Sequence, residues 1–336
     1  MNTQHTKSPC CRAPIQHWGS RRRYCINCHK TWRIRRKKRG RKLKRIDKAL
    51  IIKYLAKQVA PLRVLAQQKK CGRSALQTKL QRSLETYVQK NKQKWKELLN
   101  HQTELIAVAD AIWYRVKGKK YTIYNILLRP ITSTEAVICP PIILPGHENI
   151  PGWQQAFDTL PKALKNPVIA LVCDGAVSLV ALAKIHNWII QRCHFHLISA
   201  VQNYLTTGPR SAQRSYAFHV MQTVQELLKT NSPKTLLPLL TKVSKIREKS
   251  SSRGLRRVLG GLLQSYDDFH SYLKYPQLNL PTTSNTAESF IQCIRDLMYR
   301  CRGFRSIDSL KYWLQAISIY KKTMRCNGKK PTKLTG

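Results

Sequence analysis

Two aspartates lie within or at the end of apolar runs of the sequence. Asp110 interrupts "ELIAVADAIWY", residues 104–114, and Asp174 follows the apolar run of "PVIALVCDG", residues 167–175. For either one alone, a surface aspartate or, for Asp174-Gly175, a turn is the favoured interpretation. The chain has only 16 acidic residues against 61 Lys and Arg, so a pair of carboxylates inside apolar strands favours a divalent-metal site. Carboxylate oxygens suit Mg²⁺.

A third carboxylate lies in "PTTSNTAESFIQCIRDLMYRCRGFRS", residues 281–306. Ser284 or Asn285 would cap a helix there, and Glu288 would occupy its first turn, where an acid that only caps the helix is the simpler interpretation. A rival pair, Asp267-Asp268, falls in a helical pattern without a strand and is set aside. The arginines that would present a basic face to DNA phosphates are Arg295, Arg300, Arg302 and Arg305.

Four cysteines near the N-terminus have the residue types of a zinc ribbon. Cys25 and Cys28 form a Cys-x-x-Cys turn that suits one edge of a tetrahedral Zn²⁺ site, and Cys11 is a third ligand. Two adjacent cysteines rarely bind one ion together, so the fourth ligand stays open. Cys10 is favoured, and His5 is the alternative. A module of about 30 residues needs a metal to fold. The alternative to a zinc ribbon is a disordered basic arm in which the cysteines bind no metal. The aromatics that would fill the ribbon are Trp18, Tyr24 and Trp32.

The charge of the chain predicts a polyanionic partner. The net charge is +45 over 336 residues, and 17 basic residues lie in 1–50. Double-stranded DNA is the favoured partner and a membrane surface the weaker alternative. The run "RIRRKKRGRKLKR", residues 33–45, would contact phosphates without sequence preference. No apolar run is long enough to span a bilayer, and the first residues lack the apolar core of a signal peptide. A cytoplasmic, nucleoid-associated protein with reduced cysteines is therefore expected.

Residues 46–100 show apolar residues at helical spacing, with breaks at Ala60-Pro61 and Cys71-Gly72. Glycine in the second break, followed by Ser74 near the start of the next helix, is typical of a helix-turn-helix. An ordinary helical hairpin is the alternative. The residues of the second helix whose types suit base edges and phosphates are Arg73, Gln77, Lys79, Gln81 and Arg82.

From residue 103 the apolar period becomes alternating. Strands are predicted at about 104–116 and 121–130, joined at "KGKK", with a third in "EAVICPPIIL". A helix near 150–164, the strand before Asp174, a helix, the strand "WIIQRC" and another helix complete the order β-β-β-α-β-α-β-α. This order predicts a hairpin-based mixed sheet continued by parallel units, in which the strands of Asp110 and Asp174 are neighbours.

A helical segment follows, with predicted breaks at Gly208-Pro209, Ser232-Pro233 and Gly260-Gly261. It would bind DNA or a second subunit. The sequence thus predicts an α/β protein in five parts. They are a zinc ribbon and basic linker (1–40), a helix-turn-helix domain (41–100), the first part of the sheet domain (101–196), a helical insertion (197–280), and the second part with a basic tail (281–336).

In these features the chain resembles the DDE transposases of bacterial insertion sequences, in particular the Mutator-like superfamily. Asp110, Asp174 and Glu288 resemble the catalytic triad. "CHFH", residues 193–196, resembles the family's Cys-x-x-His motif, and "SNTAESF", residues 284–290, its Asn-x-x-Glu stretch. The helical insertion, the zinc ribbon and the helix-turn-helix are also similar, whereas the doubled Cys10-Cys11 departs from the usual ribbon. The resemblance implies an RNase H-like fold for the mixed sheet.

The resemblance also implies a chemistry. Two Mg²⁺ or Mn²⁺ ions about 4 Å apart would clamp the attacking and leaving oxygens of a phosphoryl displacement. Asp110 would bridge both ions, Asp174 would hold one and Glu288 the other. Water would nick the element end, and the freed 3′-hydroxyl would attack target DNA. His196, with Cys193, would approach the metal or orient DNA; packing at a strand–helix junction is the alternative. A homodimer or higher oligomer on the terminal inverted repeats is expected.

Two other functions stay open at the level of sequence. One is a DNA-binding regulator with an inactive RNase H-like domain, against which the intact acids argue. The other is a structure-specific nuclease, such as a junction resolvase, on the same fold. The N-terminal ribbon and helix-turn-helix favour recognition of specific DNA ends and hence a transposase. Inverted repeats that bound the reading frame would separate these functions.

Overall fold

A computed structural model describes residues 7–18, 22–33, 48–58, 61–100, 102–205 and 212–326. The chain forms two compact units, 1–45 and 46–336. The predicted ligand His5, the basic run after Arg33, the break at Gly208-Pro209 and the tail after Cys326 lie outside the described residues. In the part of the chain that is described, no helix is both long enough and apolar enough to cross a membrane.

The first unit contains a small antiparallel sheet. Its three strands are β1 (Ile15–Trp18), β2 (Arg22–Cys25) and β3 (Thr31–Arg33). Trp18 packs edge-on against Tyr24, with ring centroids 5.5 Å apart. Cys25 is fully buried, whereas most of its neighbours are exposed or half-buried. So small a sheet buries too little apolar surface to be stable by packing alone.

The second unit is a mixed α/β structure with a seven-stranded sheet. Its strands are β4 (Leu105–Val116), β5 (Lys119–Pro130), β6 (Glu135–Ile138), β7 (Ile142–Pro145), β8 (Val168–Cys173), β9 (Ile189–Arg192) and β10 (Thr323–Arg325). The order is β10-β6-β5-β4-β8-β9, and β7 also pairs with β5. β4, β8 and β9 are parallel and the other pairs antiparallel. The predicted α/β class with a mixed sheet is confirmed; the third predicted strand is two short strands.

Helices precede, connect and follow these strands. Before the sheet lie α1 (Lys48–Leu55), α2 (Leu62–Gln68), α3 (Arg73–Asn91) and α4 (Lys94–Glu97). Between or directly after strands lie α5 (Ile150–Asp158), α6 (Lys162–Lys165), α7 (Val177–Ile185) and α8 (His194–Leu205). Then follow α9 (Ala212–Lys229), α10 (Pro233–Lys249), α11 (Arg253–Gln264), α12 (Tyr266–Phe269), α13 (Ser271–Lys274), a 3-10 turn (Pro276–Leu278), α14 (Asn285–Arg300) and α15 (Ile307–Lys321).

β4 is a continuous apolar run because helices cover both faces of the sheet there. Ile106 and Val108 join Phe290 of α14 in one buried cluster. Ala107 lies in a second cluster with Trp153 of α5. The strand is therefore fixed from both sides up to Asp110.

The helices of 48–97 are not a unit of their own. Leu80 and Leu84 of α3 share a buried cluster with Leu310 and Trp313 of α15. The Ser309 hydroxyl donates a hydrogen bond to Gln81 Oε1 at 3.1 Å. Residues 46–100 therefore belong to the same compact unit as the sheet. The finer five-part division stays a prediction.

The helices from α8 to α12 have a core of their own. Its fully buried members include Val201, Val224, Val243 and Leu259. The predicted break at Ser232-Pro233 is confirmed, since α10 begins at Pro233. The break predicted at Gly260-Gly261 is wrong, because α11 continues through both glycines. A Cβ at Gly260 would lie 3.4 Å from Arg247 Nε of α10, an ordinary van der Waals contact, and a Cβ at Gly261 would meet no atom within 4 Å, so neither position requires glycine.

Candidate functional site

Asp110 and Asp174 lie side by side because of the register of two parallel strands. Val108 of β4 is opposite Val172 of β8, and each aspartate stands two residues further along the chain. Side chains two residues apart share one face of a strand. Both carboxylates therefore belong to the face that α14 covers, at the carboxyl end of the parallel strands. The predicted pairing of these two strands is confirmed.

Backbone groups hold each carboxylate in place. Asp110 Oδ1 accepts a hydrogen bond from the Ala111 N–H at 2.7 Å, and Asp174 Oδ1 accepts one from the Ala176 N–H at 2.8 Å. Gly175, between Asp174 and α7, has a φ of +93°. A Cβ at that position would lie 2.3 Å from the Arg192 guanidinium. Glycine is thus required for the chain to turn away after the strand.

The surroundings of Asp110 oppose its ionisation. The pKa of Asp110 is raised from 3.8 to about 7. Burial is the largest cause, and the negative charge of Asp174 is the next. Glu148 adds to the repulsion, and His196 acts in the opposite direction. Near neutral pH the Asp110 carboxyl is therefore close to losing its proton, and a divalent cation would favour the ionised form.

Cys193 and His196 form a hydrogen-bonded pair beside these acids. The bond with Cys193 raises the pKa of His196 to about 9, and the charges of Asp174 and Asp110 act in the same direction. Burial raises the pKa of Cys193, but hydrogen bonds from His196 and Ser284 outweigh it and lower the pKa. His196 is thus a cationic neighbour of both aspartates.

Ser284 connects this pair to the start of α14. Its backbone N–H donates to Cys193 Sγ at 3.2 Å, and its hydroxyl lies 3.4 Å from His196 Nδ1. His194, in the same motif, has a different role. Burial lowers the pKa of His194 to about 4, and its Nε2 lies 2.8 Å from the carbonyl oxygen of Phe269 in α12. His194 therefore anchors the helical segment, whereas Cys193 and His196 face the acids.

Glu288 occupies the first turn of α14, as predicted. Its N–H donates to the Ser284 carbonyl at 3.1 Å, and its side chain is half-buried. It therefore stands one helical turn from the residue that contacts Cys193 and His196. Within the described residues, only the four N-terminal cysteines bring three or more metal-binding atoms within 4.8 Å of one another. Asp110, Asp174 and Glu288 are not a preformed cluster by that criterion.

Three further side chains near the aspartates were not predicted. Glu148, before α5, accepts hydrogen bonds from Trp153 Nε1 at 2.7 Å and from the Ser178 hydroxyl at 3.0 Å. Arg192 ends β9, with its guanidinium 4.7 Å from the Phe269 ring and its Nε buried without an acceptor among the described residues. No local pattern marks Glu148, whereas Arg192 directly precedes the Cys193 motif.

The third of these side chains, Asn125, offers an amide oxygen on the same face of the sheet as Asp110. Asn125 is fully buried and lies opposite Asp110 in the β4–β5 register. Its amide nitrogen donates to the Asp110 carbonyl at 3.2 Å and to the Ile123 carbonyl at 3.3 Å. Its Oδ1 has no donor within the described structure. Carboxylate and amide oxygens are the ligands that Mg²⁺ prefers, and an asparagine inside an apolar strand was the available sequence signal.

The raised pKa of Asp110 predicts a pH-dependent stability difference in metal-free protein. Between pH 4 and 7 the folded protein keeps a proton that the unfolded chain, with an aspartate pKa near 3.8, has released. Asp110 therefore destabilises the fold as pH rises through this range. Asp110→Asn removes the effect. In EDTA, the free energy of unfolding of Asp110→Asn minus that of wild type should increase by about 2–3 kcal/mol from pH 5 to pH 8.

Denaturant unfolding at both pH values measures this gain. The matched control is Asp267→Asn, which removes an exposed aspartate that pairs with Lys274 at 2.6 Å. The control should show no such pH trend. A stability difference between wild type and Asp110→Asn that stays constant from pH 5 to pH 8 would show that Asp110 is not held in its protonated form.

The four N-terminal cysteines form a second candidate site. Their sulfur atoms all lie within 4.8 Å of one another, and Cys28 and Cys10 are 3.3 Å apart. Zn–S bonds of 2.3 Å in a tetrahedron place sulfurs about 3.8 Å apart, so the cluster fits one Zn²⁺. The pKa of Cys11 is raised to about 12, and its hydrogen bond with Cys28 is the largest cause. The adjacent Cys10 and Cys11 both reach the cluster, contrary to the expected difficulty.

The predicted DNA contacts lie mainly on the surface. Arg73, Gln77 and Arg82 of α3 are exposed and Lys79 is half-buried. Gln81 is bound to Ser309 and to Glu85, so it is not free for a base edge. The exposed arginines near the end of α14 are Arg295, Arg302 and Arg305. The exposed side chains are therefore accessible to DNA, and the contacts themselves stay a prediction.

No protein-family model matches the chain, and no curated protein matches its sequence. The functional conclusion therefore depends on the chemistry of the two sites. One joins paired aspartates to a cationic histidine at the end of a sheet. The other gathers four thiols at a small three-stranded sheet.

Proposed function

We propose that this protein is a DNA transposase of the DDE type, with an RNase H-like catalytic domain. The observation that supports this most is the pairing of Asp110 with Asp174 on adjacent parallel strands, with the pKa of Asp110 raised by burial and by its neighbour. Perturbed carboxylates at a sheet edge are characteristic of functional sites. The net charge of +45 supplies the attraction for DNA.

In this proposal Asp110, Asp174 and Glu288 hold Mg²⁺ or Mn²⁺, with two ions per site. When bound, the ions stabilise the charge on the attacking and leaving oxygens of an in-line displacement. Glu288 completes the site by a movement of the first turn of α14, or when DNA phosphates bind. Ser284, which lies one turn before Glu288 and contacts Cys193 and His196, is positioned to couple this movement to the sheet.

The reaction consists of two displacements at phosphorus. In the first, water attacks the phosphodiester at the element end, and the bond to the 3′-oxygen breaks. In the second, the freed 3′-hydroxyl attacks a phosphodiester of the target, so one P–O bond forms as another breaks. His196 is a positioning residue in this scheme. Its positive charge holds the two aspartates close together, and its bonds to Cys193 and Ser284 fix its ring.

The other parts of the chain bind DNA in this proposal. The four cysteines hold one Zn²⁺ and make a zinc ribbon of the first unit. α2 and α3 act as a helix-turn-helix, with Arg73, Gln77, Lys79 and Arg82 toward DNA, and Arg295 and Arg302 contact phosphates near the cut. The protein acts on the bacterial nucleoid in the cytoplasm, as a homodimer or higher oligomer on the terminal repeats.

The proposal is tested with the DNA that flanks the protein's own reading frame. Duplexes of these flanks, end-labelled and incubated with the full chain in Mg²⁺, should be nicked at a fixed position and joined to a target plasmid. Nicking at branched DNA without joining would favour the nuclease instead. Specific binding without any strand cleavage would favour the regulator.

Duplex binding should depend steeply on salt. Lys and Arg that contact phosphates release counterions from DNA. For six or more contacts, the affinity of the full chain should fall by about a thousandfold between 50 and 200 mM salt. Filter binding at four salt concentrations measures the slope, and Arg73→Gln should reduce the slope by about one unit. Binding that is insensitive to salt would contradict a phosphate-based interface.

A further inference from the structure

The hairpin of β4 and β5 extends beyond β8 on one side, while β7 pairs with β5 from Tyr121 to Tyr124 on the other. β8 pairs with β4 only from Leu105 to Val108, whereas β5 pairs with β4 as far as Val116. The turn has φ values of 49° at Lys117 and 78° at Gly118, which is the type I′ arrangement of a tight, twisted hairpin. An ordered arm, residues 111–124, therefore projects past Asp110.

One face of this arm exposes an indole between cations. Trp113 is 63% exposed, although tryptophan is highly buried on average. The Arg115 guanidinium lies 5.9 Å and Lys120 Nζ 5.3 Å from its ring centroid. Arg115 and Lys120 are opposite each other in the register, so strand alternation places all three side chains on one face. Lys120 Nζ also contacts His147 Nδ1 at 3.0 Å.

The charge around this indole has one sign. The sequence holds no Asp or Glu from residue 111 to residue 134, and the turn adds the exposed Lys117 and Lys119. Among the described residues, none of these four cations is in an ion pair with a carboxylate. An exposed flat ring among unpaired cations is complementary to a ligand that combines a flat ring with negative charge. A nucleotide of a single strand has both, whereas the bases of a duplex are already stacked.

We propose that Trp113, with Arg115 and Lys120, is a stacking site for an unpaired base of a DNA strand. The indole stacks on the base, and the cations bind the flanking phosphates. Trp113 stands three residues beyond Asp110, about 10 Å along the strand and, by strand alternation, on the opposite face of the hairpin. A single strand bound there passes around the hairpin to reach the aspartates, and its origin in DNA near the cut is the part of the inference that rests on the proposed function. Recognition of the unpaired base itself does not depend on cleavage.

Binding of a labelled oligothymidylate of about 20 nucleotides to the full chain tests the site. Fluorescence anisotropy is measured in EDTA at about 0.2 M salt, which weakens phosphate contacts elsewhere. Trp113→Ala should weaken single-strand binding about tenfold, the effect of losing one stacked base. Trp113→Phe, which keeps a ring, should weaken it less. Duplex binding should change less than about twofold, because its bases are not free to stack.

The matched control is Phe218→Ala, since Phe218 is an aromatic residue of α9 that is 72% exposed and lies outside the elements proposed to contact DNA. It should leave both affinities unchanged. The proposal would be overturned if Trp113→Ala bound the single strand as tightly as wild type does, or if it lost single-strand and duplex binding equally. Photocrosslinking of wild-type protein to an oligonucleotide with 5-iodouracil gives a readout without substitution. A crosslink at Trp113 supports the site, and crosslinks only elsewhere contradict it.

These outcomes are distinct from those of the proposed function. EDTA prevents metal-dependent cleavage, so the binding result does not depend on activity. A Trp113→Ala protein with unchanged single-strand binding would remove the stacking site and leave the role of the aspartates untouched. A wild-type protein that binds unpaired bases through Trp113 but never cuts DNA would preserve the site and remove the transposase.

Discussion

Replacement of Asp174 by asparagine should abolish strand cleavage while the protein still folds and binds DNA. Asparagine keeps the shape of the side chain and its bond to the Ala176 N–H, but it removes the charge that would hold a divalent cation. Metal stabilisation of the transition state contributes several kcal/mol, so the cleavage rate should fall by about a thousandfold or more. Asp110→Asn and Glu288→Gln should behave alike. Cleavage of labelled flanking DNA in Mg²⁺ measures the effect.

The control for this experiment is again Asp267→Asn. Asp267 lies in α12 and pairs with Lys274, so its removal should leave the rate within about twofold of wild type, as is usual for exposed pairs. Circular dichroism and duplex binding establish that each variant is folded. If a folded Asp174→Asn protein cleaved DNA at the wild-type rate, Asp174 would have no role in cleavage.

Loss of the cysteine cluster should unfold the first unit and leave the second intact. The small sheet β1–β3 has little apolar surface to bury, and structural Zn²⁺ contributes about 10 kcal/mol or more to such modules. Wild-type protein should contain about one zinc per chain. Cys25→Ser should contain none, and amides of residues 22–33 should exchange rapidly. Elemental analysis and hydrogen exchange measure both effects.

Cys71→Ser is the matched control for the zinc experiment. Cys71 is a half-buried thiol in the turn before α3 and is not part of the cluster, so zinc content should be unchanged. Freshly purified wild-type protein without zinc, or a Cys25→Ser variant that keeps it, would contradict a structural zinc site. The two compact units allow the loss to be assigned, because exchange in the strands β4 to β9 of the second unit should stay slow.

The parts of the fold that the sequence predicted are those set by local patterns. The alternating residues and the "KGKK" turn predicted β4 and β5, and Pro61 and Gly72 marked the breaks around α2. The adjacency of Asp110 and Asp174 followed from the order of strands and helices, because parallel units place the carboxyl ends of strands at one edge. Each of these predictions depends on residues close together in the chain.

The parts that sequence did not predict depend on contacts between distant segments. The leucine stripe of α3 was visible, but nothing local shows that α15 covers it. β10, three residues long, pairs with β6 at the sheet edge without a strand-like pattern. Glu148 reaches the site from a loop, and its acidity alone does not distinguish it from a surface residue. Gly260 and Gly261 lie inside α11, although glycine weakens a helix, because its buried Leu255, Leu259 and Leu262 pack into the core of the helical segment.

The most direct test of the central claim is Mn²⁺ binding by zinc-loaded protein, followed by electron paramagnetic resonance at pH 8 with and without flanking DNA. Wild type and Asp267→Asn are expected to bind Mn²⁺ at a site that DNA strengthens. Asp110→Asn and Asp174→Asn should each lose this site. Identical Mn²⁺ binding by wild type and both of these variants would contradict a metal centre at the paired aspartates, and with it the proposed mechanism of DNA cutting and joining.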